Sequence, residues 1–277
     1  MGKNVCHYTR LNALSNILHK KEVCLWATRY DYLNDPLEQA WAQEIVLKKI
    51  QEKKEFKNLT PEEIKMLLEK KPYVLSLCKE IDNRVMWRLY ADDGMGIILV
   101  LKYKDLDKMA KKRTIENPQS QYEVFNDVFY ANEKNVDKKI DESLNGVVHK
   151  EIEEEDESKW TRSCAFIKHE DFIYENETRY AIISDLGTIK ISENKFDNRP
   201  SLACTGDNEG VKYRMRGDEP IPYLEVCIQP NALEKIIVGY RVKNFDVVKE
   251  YIENLLSQYG ETYKHVEIEP SNVLYKV

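Results

Sequence analysis

The chain has 277 residues, 42% of them apolar, enough to bury one large core; one domain spanning 1–277 is expected. A formal charge of −6 and a pI near 5.6 argue against bulk electrostatic attachment to nucleic acid, which needs a cationic face, and leave room only for a local basic patch. No run approaches the roughly 18 apolar residues of a membrane span and no secretory leader is visible, so a cytoplasmic protein without a membrane partner is expected.

In chain order, an apolar strand over Asn4 to Tyr8 leads into Thr9, an N-cap, after which Leu11, Leu14, Ile17 and Leu18 recur at helical spacing. Val23 to Ala27 reads as a second strand. Asp35, Pro36 and Glu38 then form a capping box with proline at the first helical position, ahead of Trp41 and Ile45. Thr60-Pro61-Glu62-Glu63 repeats that start signal before Ile64, Leu67 and Leu68. Tyr73 to Cys78 is a compact strand, Asn83 to Ala91 a short helix, and Gly96 to Tyr103 an apolar strand rich in β-branched residues. The polar segment Asn132 to Ser158, with its acidic run Glu151 to Glu157, reads as a solvated helix and connection.

Further strands are expected at Val124 to Ala131, Arg179 to Ser184, Val211 to Arg216, Tyr223 to Gln229, Lys235 to Gly239 and His265 to Ile268, with a helix near Asn244 to Ser257. Strands clustering late, without regular βαβ alternation and without a Gly-x-Gly-x-x-Gly loop, point to an α+β fold with a mixed, mostly antiparallel core and helices inserted in the N-terminal half. The six cysteines are widely separated, with no Cys-x-x-Cys pair, and reduced, mostly buried thiols are expected.

Candidate chemistry sits in a few short stretches. His7, near the end of the first strand, can donate to a ribose hydroxyl or phosphate, or bond backbone as a structural histidine. Trp87 and Tyr90 would share a helix face, as an aromatic wall for a base or as core. Glu175, Glu177 and Arg179 would share one face if extended, two acids beside one cation; the plainer reading is the polar side of a surface strand. A metal-dependent nuclease using Asp35, Glu38, Glu175 and Glu177 is the weakest reading, because capping already accounts for the first pair.

Taken together, His7-Tyr8-Thr9, Leu33-Asn34-Asp35-Pro36-Leu37-Glu38, Ser76-Leu77-Cys78, Trp87-x-x-Tyr90 and Glu175-x-Glu177-x-Arg179 resemble the bacterial family known as domain of unknown function 2971, over about Val5 to Gly239. The chain departs from it at Phe172, where tryptophan is frequent, and at Cys78, where a second hydroxyl is common. A more distant similarity is to ADP-ribosyltransferase-like folds. That resemblance implies an enzyme consuming NAD as substrate, with no metal, that modifies a protein or nucleic-acid acceptor, as toxins or phage-defence effectors do. It implies that His7 holds the adenosine-side ribose, that Ser76 or Tyr90 is the middle element, and that Glu177 is the catalytic acid. Tyr8, Thr9, Trp87, Glu175 and Arg179 are the remaining candidates for binding. The alternative is a non-catalytic module of the same fold that senses a nucleotide or binds a protein partner.

Overall fold

A computed structural model describes residues 3–34, 36–52, 68, 71–116, 121–146, 158–184 and 211–274. The expected cap at Asp35, the helix start at Thr60, the acidic run Glu151 to Glu157 and Cys204 lie outside the described residues. Strand β1 (Asn4–Thr9) passes through a 3₁₀ turn into the short helix α1 (Leu14–Ile17), then β2 (Val23–Arg29) and helix α2 (Pro36–Glu52). Strand β3 (Tyr73–Cys78) is followed by helix α3 (Arg84–Tyr90), whose N-cap Asn83 accepts from the amides of Val85 and Met86. Then come β4 (Ile97–Lys102), helix α4 (Tyr103–Glu116), β5 (Gln121–Asp127), β6 (Phe129–Ala131) and helix α5 (Val136–Gly146). Helix α6 (Ser158–Phe166), β7 (Ile167–His169), a 3₁₀ helix over Glu170–Glu175 and β8 (Glu177–Ser184) follow. The chain continues through β9 (Lys212–Arg216), β10 (Glu219–Ile228), β11 (Leu233–Val238), helix α7 (Phe245–Ser257) and β12 (Glu267–Pro270).

Among the described residues the result is a mixed α+β chain around a ten-stranded sheet, in which only β11 and β12 pair in parallel. Its main path runs β12-β11-β4-β1-β3-β2-β10-β9. Strand β3 is the junction. Along one edge it pairs with β8 through all six residues, from Tyr73↔Ile182 to Cys78↔Glu177, and β5 lies beyond β8. Along the other edge it meets β1 only at Cys78↔Cys6 and β2 only at Val74↔Thr28 and Tyr73↔Arg29. A strand has two edges, so β1 and β2 must share this one and diverge between those contacts. The sheet therefore forks opposite residues 75–77.

Both faces of β4 are covered, which explains its unbroken apolar run. Ile97, Leu99 and Leu101 join the main core, while Ile98 and Val100 pack on the other face with Cys6, Tyr8, Cys78 and Trp87. Each such aliphatic side chain contributes about 1.5–3 kcal/mol on burial. Glycine is required where β11 ends: Gly239 donates to the Gly96 carbonyl, and a Cβ there would overlap the Gly94 carbonyl oxygen.

Three expectations are corrected. The strand expected over Val124 to Ala131 is two strands in two sheets, broken at Val128, whose amide turns to bond the Glu177 carbonyl. Cys24 and Cys227 are not reduced thiols: they face each other across the β2–β10 ladder, with Cα atoms 4.0 Å apart, and form a disulfide, while Cys6, Cys78 and Cys164 are free and buried. A separation of 203 residues hides such a pair from any spacing argument. Finally, the segment ending at Arg179 is not extended throughout. Glu175 closes the 3₁₀ helix and Asn176 turns the chain at φ 42°, so only Glu177 and Arg179 lie on the strand. Among the described residues no helix is long and apolar enough to cross a membrane.

Candidate functional site

The fork opens a cleft of about 790 Å³. Its walls are β1 and β2 and its floor is β3, which explains one anomaly in the burial of β3. Every residue of that strand is buried except Ser76, at mid-strand, which faces the opening. With the ladder interrupted, the main chain of Ser76 finds another partner: the imidazole of His7 donates to its carbonyl. Burial holds the His7 pKa down at about 4, against the weaker opposing effect of that hydrogen bond. At neutral pH the ring is uncharged. Thr9 lines the same wall.

At the buried end of the cleft lies a group of five charged side chains. Arg179, 1% exposed, donates from Nε to Glu177 Oε1 at 2.7 Å, from Nη2 to Glu177 Oε2 at 2.9 Å and to Glu38, and from Nη1 to the Ala165 carbonyl at 2.7 Å. Lys168, 4% exposed, puts its ammonium where three carboxylates meet: Glu175 at 2.6 Å, Glu38 at 2.9 Å and Glu177 at 3.4 Å. Burial opposes the charge on Glu177, but Arg179 and Lys168 outweigh it and hold this carboxyl at about 2. For Glu175 burial prevails over Lys168, and its pKa is raised. The Tyr90 hydroxyl donates to Glu175 at 3.0 Å; burial first, then this acid, raises the pKa of the phenol.

His7, Thr9, Ser76, Tyr90, Glu175, Glu177 and Arg179 all line the cleft, together with Tyr8. The Tyr8 hydroxyl is occupied structurally, donating to the Glu80 carbonyl and accepting from the Asn83 amide, both at 2.9 Å. Trp87 is set apart. It is 0% exposed, bonds Asp82 through Nε1 and packs edge-on against Tyr8, so it supports the wall from behind and does not form it. The aromatic rings at the opening are instead Trp26, Tyr32, Phe172 and Tyr174.

Of the charged group, Lys168 is not singled out by the sequence, and Glu38 is named there only as a capping acid and in the nuclease reading. Glu38 has the sequence position of a helix N-terminal acid, yet its carboxylate is buried against Arg179 and Lys168. Lys168 stands between Ile167 and His169 in a three-residue strand whose burial no periodicity reveals. Its apolar flanks, Phe166 and Ile167, were the available hint.

A family model described as protein of unknown function (DUF2971) matches residues 86–180, so the resemblance to that family holds over this stretch. The stretch carries Trp87, Tyr90, Lys168, Glu175, Glu177 and Arg179, and is narrower than Val5 to Gly239; His7 and Ser76 fall outside it. No curated protein and no solved structure matches the chain.

Proposed function

We propose that the cleft binds NAD and that the chain transfers ADP-ribose from it to a protein or nucleic-acid acceptor, in the manner of the ADP-ribosyltransferase-like folds it distantly resembles. One observation carries this reading: a histidine, a serine, a tyrosine and a glutamate from four separate segments, His7, Ser76, Tyr90 and Glu177, line one cleft at the fork of the sheet. In the reaction the nicotinamide–ribose bond breaks, its electron pair leaves with nicotinamide, and positive charge develops on the sugar as in glycoside cleavage. The acceptor nucleophile then bonds the anomeric carbon and loses its proton. Glu177, ionised down to about pH 2, supplies fixed negative charge beside that carbon, a contribution of a few kcal/mol to the barrier.

A carboxylate has about four lone-pair positions. In Glu177 they are taken by Arg179 Nε, Arg179 Nη2, Lys168 and the Ser76 side chain. The serine hydroxyl is the one neutral donor of the four, and Ser76 lines the cleft, so a ribose 2′-hydroxyl would take its place. The same crowding, with Glu177 only 3% exposed, favours a second reading, a nucleotide-binding module without turnover.

Nicotinamide release from NAD separates the two, measured with and without cell lysate as a source of acceptor. Release by the wild type, lost in Glu177→Gln while NAD still binds by calorimetry, is the expected outcome. NAD binding without release selects the module. Equal release by the variant removes Glu177 from the chemistry.

A further inference from the structure

The cleft is electrically polar along its length. At the buried end three carboxylates, Glu38, Glu175 and Glu177, face two cations, Lys168 and Arg179, all within one network of ion pairs. The lining cations of the other end come from the 3₁₀ entry after β1 and from the edge strand β9: Arg10, Arg214 and Arg216. Arg216 is engaged, donating to Glu219 at 2.9 Å and to the Tyr32 carbonyl at 3.2 Å. Arg10 is exposed and makes no side-chain cap bond.

Arg214 is the unusual member. Its guanidinium lies 5.5 Å from the ring centre of Trp26, itself packed on Tyr223, and Nη2 reaches Thr28 Oγ1 at 3.2 Å. Its Nε is shielded from solvent and has no hydrogen-bond partner among the described residues. The nearby acids are committed elsewhere, Glu225 to Lys212 at 2.7 Å and Glu219 to Arg216. Desolvation, then the neighbouring Arg216, disfavours the charge on Arg214. A buried donor left unbonded and a cation without an acid are both costly, and an anion in the cleft relieves both at once. Arg179, a binding candidate from sequence, has all its nitrogens occupied by Glu177, Glu38 and the Ala165 carbonyl.

The geometry points to Arg214, assisted by Arg10, as the seat of the pyrophosphate of a dinucleotide whose cationic end lies toward Glu177. As a substrate subsite it rests on the reading of the cleft as an NAD site, since NAD joins a cationic nicotinamide ring to a dianionic pyrophosphate. The anion-binding claim itself does not depend on turnover.

The test is calorimetric binding of inorganic pyrophosphate and of ADP-ribose to the full chain, comparing wild type with Arg214→Gln, Arg10→Gln and Lys212→Gln. Lys212 is on the same strand but does not line the cleft, so its variant controls for net charge. Arg214→Gln is expected to weaken both probes by about tenfold or more, Arg10→Gln less, and Lys212→Gln not at all. Should Arg214→Gln fail to fold, the exposed Arg10 carries the comparison. Absence of pyrophosphate binding by the wild type, equal binding by the arginine variants, or equal weakening by Lys212→Gln overturns the assignment. Arginine-dependent binding of both probes without nicotinamide release sinks the transferase reading and leaves the subsite standing. Release with arginine-independent binding does the reverse.

Discussion

Replacing Arg179 by methionine keeps much of the side-chain bulk and deletes the charge, which makes it a direct measure of the buried network. The substitution removes both donors to Glu177, one to Glu38 and one to the Ala165 carbonyl. It leaves Lys168 alone among three carboxylates. Breaking a buried pair from one side costs about 3–5 kcal/mol, chiefly because the stranded charge stays desolvated. Without its nearest cation Glu177 loses the influence that outweighed burial, so its pKa, about 2 in the intact protein, rises above the ordinary 4.5. The sign of the pH effect then reverses. In the wild type, Glu177 stabilises the fold above pH 4.5 and the contribution is lost as pH falls toward 2. In the variant the loss is greatest at alkaline pH, and about 1.4 kcal/mol returns for each pH unit below the new pKa, until the unfolded chain also takes up the proton. Urea unfolding at pH 8 and pH 5, read by tryptophan fluorescence, reports the difference through buried Trp87 and Trp160. His7 titrates in both proteins and cancels in the comparison. A loss under about 1 kcal/mol at pH 8, or the same loss at both pH values, would refute the reasoning.

Two further outcomes are expected. The folded pKa of His7, about 4 against an ordinary 6.5, means that the unfolded chain takes up the proton first on acidification; wild-type stability should fall between pH 6.5 and 4 by at most about 3 kcal/mol, a slope that His7→Asn abolishes in urea titrations across that window. Gly239→Ala should destabilise by about 1–3 kcal/mol or more, because the new methyl meets backbone at Gly94 and Gly96 that no side-chain rotation can relieve; an unchanged melting temperature would show that the turn can shift.

What the sequence revealed follows from how locally each feature is encoded. Strand β3 was legible end to end, since Tyr73 to Cys78 is a short apolar run bounded by Pro72 and by polar residues after Cys78. Helix α7 was legible from its Asn244 cap and its single apolar face. Helix α4 was not, because Tyr103 to Glu116 follows β4 with no glycine or proline between them and with only Leu106, Ala110 and Thr114 buried in fourteen residues. In the site, His7, Ser76 and Glu177 were nameable as residues, but their meeting depends on a fork whose evidence is three backbone pairings far apart in sequence. Lys168 and Arg214 were illegible as site members, and Glu38 was named only as a cap and in the weakest reading, for a further reason: charge normally predicts exposure, and nothing local announces that partners wait in the interior.

The fork also decides how the molecule bears load. Among the described residues of the sheet, the β1 side and the β2 side are joined only through β3, by one residue pair to β1 and two to β2. Splayed strands sharing a single member form a wedge, and a body lodged in a wedge works as a brace, turning its own adhesion into stiffness of the whole frame. Occupancy of the cleft should therefore be felt at the outer strand β12, as slower amide exchange at a strand that contributes no residue to the cleft.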